Sequence, residues 1–269
     1  MAVSFTPKDH YGMEDLLTIM RLLRSSEGCP WDREQTHESI RSDFLEETHE
    51  ALEAIHNADA DALKEELGDV LLQLVFHSRI EEEKGSFSFA DVVDGICHKL
   101  VIRHPHVFGE VTVDSTGQVL ENWDAIKRET KGGKDQTDLL RSVPRTLPAL
   151  MRAAKVQGRA RRVGFDWPEV SGAMKALDSE LAELKEAMTQ PDAAQVEEEL
   201  GDLLFSAVNV SRFLKVDAEQ ALTGATDKFI RRFETVERLA KEQQLDMAKA
   251  SLEELDDLWN QAKKQERGG

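Results

Sequence analysis

Apolar residues recur along the chain at helical intervals, and the intervals come in two matching sets. Leu16, Leu17, Met20 and Leu23 form a stripe over residues 13–24 that ends at Gly28-Cys29-Pro30-Trp31. Leu45, Leu52 and Ile55 mark a helix over 39–56, and the stretch from Asn57 to Asp61 reads as a turn. Leu63, Leu67, Val70, Leu71, Leu74 and Val75 mark a second helix over 62–83. Then the pattern returns. Leu177, Leu181 and Leu184 precede a turn at Gln190-Pro191-Asp192, and Val196, Leu200, Leu203, Leu204 and Val208 follow it. Each half thus predicts a helix–turn–helix hairpin, with further helices around 90–104 and 217–243. No long stretch alternates with period two, so strands should be few and the fold class all-α, a helical bundle.

The repetition extends beyond apolar positions. Trp31 and Trp167 are 136 residues apart, as are Trp123 and Trp259, and the chain has no other tryptophan. Residues 65–69 read Glu-Glu-Leu-Gly-Asp, and 198–202 read the same. Glu47 and Glu50 match Glu180 and Glu183 at the same offset of 133, while Lys99 and Arg103 match Lys228 and Arg232 at an offset of 129. Changing offsets imply small insertions in loops. The chain therefore divides into residues 1–130, a polar and Gly-rich linker at 131–137, and residues 138–269, each half the size of an ordinary domain.

Composition narrows the function classes. A formal net charge of −18 argues against a general nucleic-acid binder, which needs a basic face. No apolar run is long enough for a membrane span. Two cysteines without a CxxC pair, and a polar stretch from Met1 to Gly12 without an apolar signal core, suggest a cytoplasmic protein. Scarce proline, 7 in 269 residues, suits helices.

The acidity gathers in one pattern. Glu47 and Glu50 are three apart, as are Glu66 and Asp69, and residues three apart share a helix face. An antiparallel hairpin lets the two pairs meet. Four converging carboxylates repel unless a cation sits among them, and Mg²⁺ or Mn²⁺ prefers such oxygen ligands. Glu180, Glu183, Glu199 and Asp202 repeat the set, the second pair starting 16 positions after the first pair ends in each half. Glu at this spacing is also common on solvated faces, but its recurrence favours metal ligation. Gly68 and Gly201 lie inside the carboxylate-bearing helices, where glycine costs ~1 kcal/mol relative to alanine, which close helix approach or room for a ligand would explain. Lys99 with Arg103, and Lys228 with Arg232, put two cations on one helix face, a suitable arrangement for a triphosphate. Trp123 and Trp259 would stack on a base or pack in the core.

These residues resemble a known family. Glu47-x-x-Glu50…Glu66-x-x-Asp69 and its second copy look like the EExxE…ExxD signature of all-α nucleoside triphosphate pyrophosphohydrolases, and Cys29-Pro30-Trp31-Asp32-x-x-Gln35-Thr36-His37 is similar to the opening motif of MazG proteins. The resemblance implies tandem helical units of that type, assembled as a homodimer. It implies Mg²⁺-dependent cleavage of ribo- and deoxyribonucleoside triphosphates between the α and β phosphates, giving the monophosphate and pyrophosphate. It also implies that the C-terminal unit carries the main activity. Glu180, Glu183, Glu199 and Asp202 would then hold the metal, Lys228 and Arg232 the phosphates, and Trp259 would lie near the nucleotide. The first Glu of EExxE is Glu46 in the first copy but Ser179 in the second, so the N-terminal signature is formally more complete.

Two rival readings have sequence discriminants. Glu46-Glu47-x-His49-Glu50 contains the Glu-x-x-His of carboxylate-bridged di-iron bundles, but Ala182 stands where a second histidine is needed. A non-catalytic nucleotide-binding or regulatory helical dimer would keep the carboxylates for structure alone. All eight histidines lie at or before His106, so histidine has no part in any chemistry of the C-terminal half. His98, His104 and His106 are expected to be loop residues, not zinc ligands.

Overall fold

The structure is a computed structural model that describes residues 5–115, 117–119, 135–189 and 192–268. Among these, every regular element is helical, and no helix is long and apolar enough to cross a membrane. The chain forms two compact units, Met1–Gly132 and Gly133–Gly269.

The first unit comprises α1 (Met13–Leu23), α2 (Pro30–Glu34), α3 (Arg41–His56), α4 (Ala60–Glu83), α5 (Phe89–Arg103) and the short α6 (Pro105–Phe108). The predicted hairpin is α3 and α4, and α1 and α5 both pack on α4. Met20, Ile40, Val75, Phe76 and Ile80 are buried together, with Leu16, Leu17, Leu71, Leu72 and Phe89 against them. Arg24, at the end of α1, is buried among these elements. It pairs with Glu83 at 2.9 Å and donates to the Gln35 carbonyl at 3.2 Å, tying the Cys29–His37 segment to α4. A Cβ on Gly28 would meet the Leu22 carbonyl oxygen at 2.1 Å, so only glycine fits this turn.

The second unit comprises α7 (Gln136–Arg141), α8 (Ala149–Arg161), α9 (Val170–Ala187), α10 (Ala193–Phe213), α11 (Ala218–Glu242) and α12 (Leu252–Gly268). Here α9 and α10 form the hairpin, α8 packs on α10 and α11, and α12 packs on α11. Val236, Leu239, Ala240, Leu258 and Ala262 form a buried cluster with Leu245, Met247 and Trp259 against it. Residues 131–134 of the expected linker lie outside the described residues, and Gln136 and Thr137 open α7.

The duplication is written into the caps as well. Asp59 accepts hydrogen bonds from the Asp61 and Ala62 amides at 3.1 and 3.0 Å, starting α4. Asp192, at the same offset as the carboxylates, accepts from Ala194 at 3.0 Å and Gln195 at 3.4 Å, starting α10. At the α3–α4 turn Ala58 takes a left-handed φ of 53°, and the Asp59 amide reaches back to the Ala54 carbonyl at 3.0 Å.

Much of the predicted apolar stripe faces outward. Leu45, Leu52 and Ile55 are more than half exposed, and α5 has no buried residue. The exposure recurs at matched positions: Leu67 with Leu200, Val93 with Leu222, Leu100 with Phe229, and Val101 with Ile230.

Candidate functional site

In the first unit α3 contributes Glu47 and α4 contributes Glu66 and Asp69, and one carboxylate oxygen from each lies within 4.8 Å of the other two. In the second unit Glu180 on α9 meets Glu199 and Asp202 on α10 in the same way. The hairpin explains both groups. A short Asp-capped turn sets the register, and the i, i+3 spacing turns Glu66 and Asp69, or Glu199 and Asp202, towards the neighbouring helix.

Glu50 and Glu183 stand outside these groups, although the spacing reading placed four ligands in each set. They lie near enough to act electrostatically. Desolvation beside the packed helices, then the charges of Asp69, Glu50, Glu46 and Asp43, push Glu47 above the ordinary carboxylate range. Desolvation followed by Glu50, Glu65, Asp69 and Glu47 does the same to Glu66. Glu180 is raised by desolvation and by Glu183, Asp202 and Glu199. Glu199 is raised by desolvation and by Glu183, Asp202 and Glu198. Glu183 has a hydrogen-bond donor of its own: the Ser179 hydroxyl donates to it at 2.9 Å. The residue that departs from the EExxE pattern thus serves its neighbour.

The donor sets fit a hard divalent cation. Each is all-oxygen, drawn from two helices and only partly shielded from water, and desolvation and then crowding raise the proton affinity of Glu47, Glu66, Glu180 and Glu199. Among the described residues no histidine joins either group, so the di-iron arrangement finds no support from His49. His98 lies within α5 instead of in a loop, and its ring nitrogen faces the Asp94 carbonyl. Among the described residues a Cβ on Gly68 or Gly201 would meet nothing within 4 Å, so no close helix approach among them accounts for those glycines. Gly201 instead lines a 470 Å³ cavity between α8 and α10.

The basic residues lie on α5 and α11. Lys99 is exposed and Arg103 half-buried near the end of α5. Lys228 and Arg232 are one turn apart on α11. Arg232 Nε donates to Glu266 on α12 at 2.6 Å, and its guanidinium carbon lies 5.8 Å from the centre of the Trp259 ring. Trp259 is half-buried against the unit's core, and Phe229 tilts towards it at 5.1 Å. Core packing is therefore one of its roles. Trp123 lies outside the described residues.

Glu266 and Phe229 escaped the sequence reading. Thr130 stands 136 residues before Glu266, so the duplication carries no signal there, and Leu100 matches Phe229 with an ordinary aliphatic. The only available hint was that Glu266 is seven residues, or two helical turns, after Trp259.

Comparison with known proteins agrees with this geometry. The family profile described as the MazG nucleotide pyrophosphohydrolase domain matches residues 35–108 and 169–237, one match in each unit. The nucleoside triphosphate pyrophosphohydrolase/pyrophosphatase MazG of Thermotoga maritima is 47% identical over 250 residues, covering 93% of this chain and 95% of the relative. A nucleoside triphosphate pyrophosphohydrolase of Escherichia coli K12 is 45% identical over 259 residues, covering 94% and 98%. Bacillus subtilis YabN is 47% identical over 251 residues, covering 93% of this chain and 51% of its own length. Matched by one profile in both halves and by relatives over 93% and 94% of its length, the chain belongs to the MazG family of nucleotide pyrophosphohydrolases.

Proposed function

We propose that this protein hydrolyses ribo- and deoxyribonucleoside triphosphates to the monophosphate and pyrophosphate, by Mg²⁺-dependent attack at the α phosphorus, chiefly in its second unit. The observation that carries the reading is the duplicated three-carboxylate group, in which Glu180, Glu199 and Asp202 converge from two helices within 4.8 Å. Relatives aligned along nearly the whole chain are named nucleoside triphosphate pyrophosphohydrolases.

Glu180, Glu199 and Asp202 would hold the cation, with Glu183 at the margin of the set. Mg²⁺, or Mn²⁺ in its place, supplies charge neutralisation and polarisation of a phosphoryl oxygen. The chain's own residues do the rest. Water attacks the α phosphorus, its proton passes to a carboxylate oxygen of Glu180 or Glu183, and the bond to the bridging oxygen breaks as pyrophosphate departs. Glu183, outside the three-carboxylate group and hydrogen-bonded by the Ser179 hydroxyl, is the one of the two that a bound cation leaves freer to take that proton. Lys228 and Arg232 neutralise the leaving pyrophosphate, and Trp259 flanks the nucleotide. Glu47, Glu50, Glu66, Asp69, Lys99 and Arg103 form the first unit's version, with Trp123 as the expected counterpart of Trp259.

The exposed apolar faces, repeated at matched positions of both units, support a homodimer that covers them. The strongly acidic chain suits small-molecule substrates instead of nucleic acid or membrane surfaces, and its cysteine usage suits the cytoplasm. Hydrolysis in ¹⁸O-labelled water tests the point of attack. The label is expected in the monophosphate, and label in pyrophosphate refutes attack at the α phosphorus.

A further inference from the structure

Arg232 is a side chain with one end occupied. Its Nε is bound by Glu266 Oε2 at 2.6 Å, while its Nη groups donate to no partner among the described residues. The side chain is 18% exposed against 36% for Glu266, so the contact is shielded on the arginine side. The Trp259 ring flanks the guanidinium at 5.8 Å. Carboxylate, arginine and indole thus form a stack spanning α11 and α12, and Phe229 closes it from the α11 side.

An arginine that recognises phosphate works as a planar fork. Left unbraced, it samples many rotamers and must be ordered when the ligand arrives. A carboxylate on Nε removes that freedom while leaving both Nη groups available. The cost is one negative charge, and the local balance tolerates it. The hydrogen bond from Arg232, opposed by desolvation and reinforced by the charges of Arg232, Arg231 and Lys228, keeps the Glu266 carboxyl below the ordinary range. Arg232, Arg231 and Lys228 all act on the Glu266 carboxylate, so its negative charge is offset by cations of α11.

We propose that Glu266 is a positioning residue: from the last turns of α12 it holds Arg232 by Nε against Trp259, so that the Nη groups are presented ready-ordered to a substrate phosphate. The inference rests on the reading of Arg232 as a phosphate-binding side chain. Neither the carboxylate signature nor the duplication points to Glu266.

The test is a double-mutant cycle on the full chain, reading kcat and KM for a nucleoside triphosphate in Mg²⁺. E266A is expected to raise KM about fivefold, with kcat within about twofold, the size of effect expected from ordering one rotamer-rich side chain. E266Q keeps an acceptor for Nε and is expected to restore KM to within about twofold of the parent. R232A is expected to raise KM further, and R232A/E266A to match R232A alone, because Glu266 acts through Arg232. An unchanged or lowered KM in E266A overturns the inference, as does failure of E266Q to rescue, or additivity in the double variant. If R232A itself leaves KM unchanged, the phosphate-binding reading fails as well, which separates the two failures. Glu266 is partly exposed near the end of its helix, so the thermal midpoint of E266A should match that of E266Q and serves as the folding control.

Discussion

Binding of Mg²⁺ should appear as stability before it appears as turnover, and Asp202→Asn separates the two. Each triad places three carboxylate oxygens within 4.8 Å of one another. Without a cation this arrangement opposes folding at neutral pH. The sign follows from the raised proton affinities of Glu180 and Glu199. A carboxyl whose folded pKa lies above its ordinary value of 4.5 binds protons more tightly when folded, so its contribution is fully present below 4.5 and is lost as pH rises through the raised value. Above that raised value the contribution is gone, and a bound divalent cation replaces it. Free Mg²⁺ at about ten times its dissociation constant stabilises the site by about 1.4 kcal/mol, a rise of about 5 °C for a unit the size of Gly133–Gly269. Asp202→Asn lowers the triad's charge from three to two. The variant should therefore be no less stable than the parent in a chelator, and the Mg²⁺-induced rise in the second unit's transition should vanish. Asp69→Asn should do the same for the first unit, and the double variant should not respond. The assay is differential scanning calorimetry in EDTA and across a Mg²⁺ titration. An undiminished Mg²⁺ shift in the double variant, or a large loss of stability by Asp202→Asn in EDTA, would contradict cation binding by the triads.

Three further outcomes follow from local geometry. Ala58 holds a left-handed φ of 53° with no glycine to ease it, so Ala58→Gly should stabilise the first unit by about 0.5–1 kcal/mol in urea denaturation; a loss of stability sinks that account of the turn. The Glu81 carboxyl is held down to about 2 by the Lys84 hydrogen bond and then by His37. Its contribution is present above 4.5 and lost as pH falls towards about 2, so Glu81→Gln should flatten the thermal midpoint's dependence on pH over that window, and an unchanged slope contradicts the assignment. Sedimentation equilibrium should give twice the chain mass. Leu100→Glu or Phe229→Glu, on the repeated exposed face, should shift it towards the monomer, and a monomeric parent removes the dimer from the account.

The helical architecture was legible because long apolar stripes with period 3.6 leave little room for another fold, and expected helices such as 62–83 emerge within two residues as Ala60–Glu83. The triads were legible for a different reason. Spacing of three within a helix fixes a face, a short turn makes two helices antiparallel, and the duplication separates that pattern from a solvated surface. Spacing cannot fix which member of a pair joins its neighbours: it groups Glu50 and Glu183 with the ligands, whereas the three-carboxylate groups close without them. Periodicity marks an apolar face without saying what covers it, and so Leu45 and Ile55 read the same whether buried or exposed. Glu266 was hidden because its meaning lies in a contact across 34 residues of chain with Arg232, and no periodic or repeated signal records such a pairing. Gly68 and Gly201 show the converse: conspicuous residues for which a close neighbour, the expected cause, is absent among the described residues.

The measurement that bears most directly on the central claim is pyrophosphate release from a mixed pool of nucleoside triphosphates by the full chain and by its Asp69→Asn and Asp202→Asn variants, with Mg²⁺ and with EDTA. The parent should release pyrophosphate in Mg²⁺ and none in EDTA, Asp202→Asn should lose about two orders of magnitude or more, and Asp69→Asn should keep most of the activity. Full activity in Asp202→Asn, or release undiminished by EDTA, would contradict that claim.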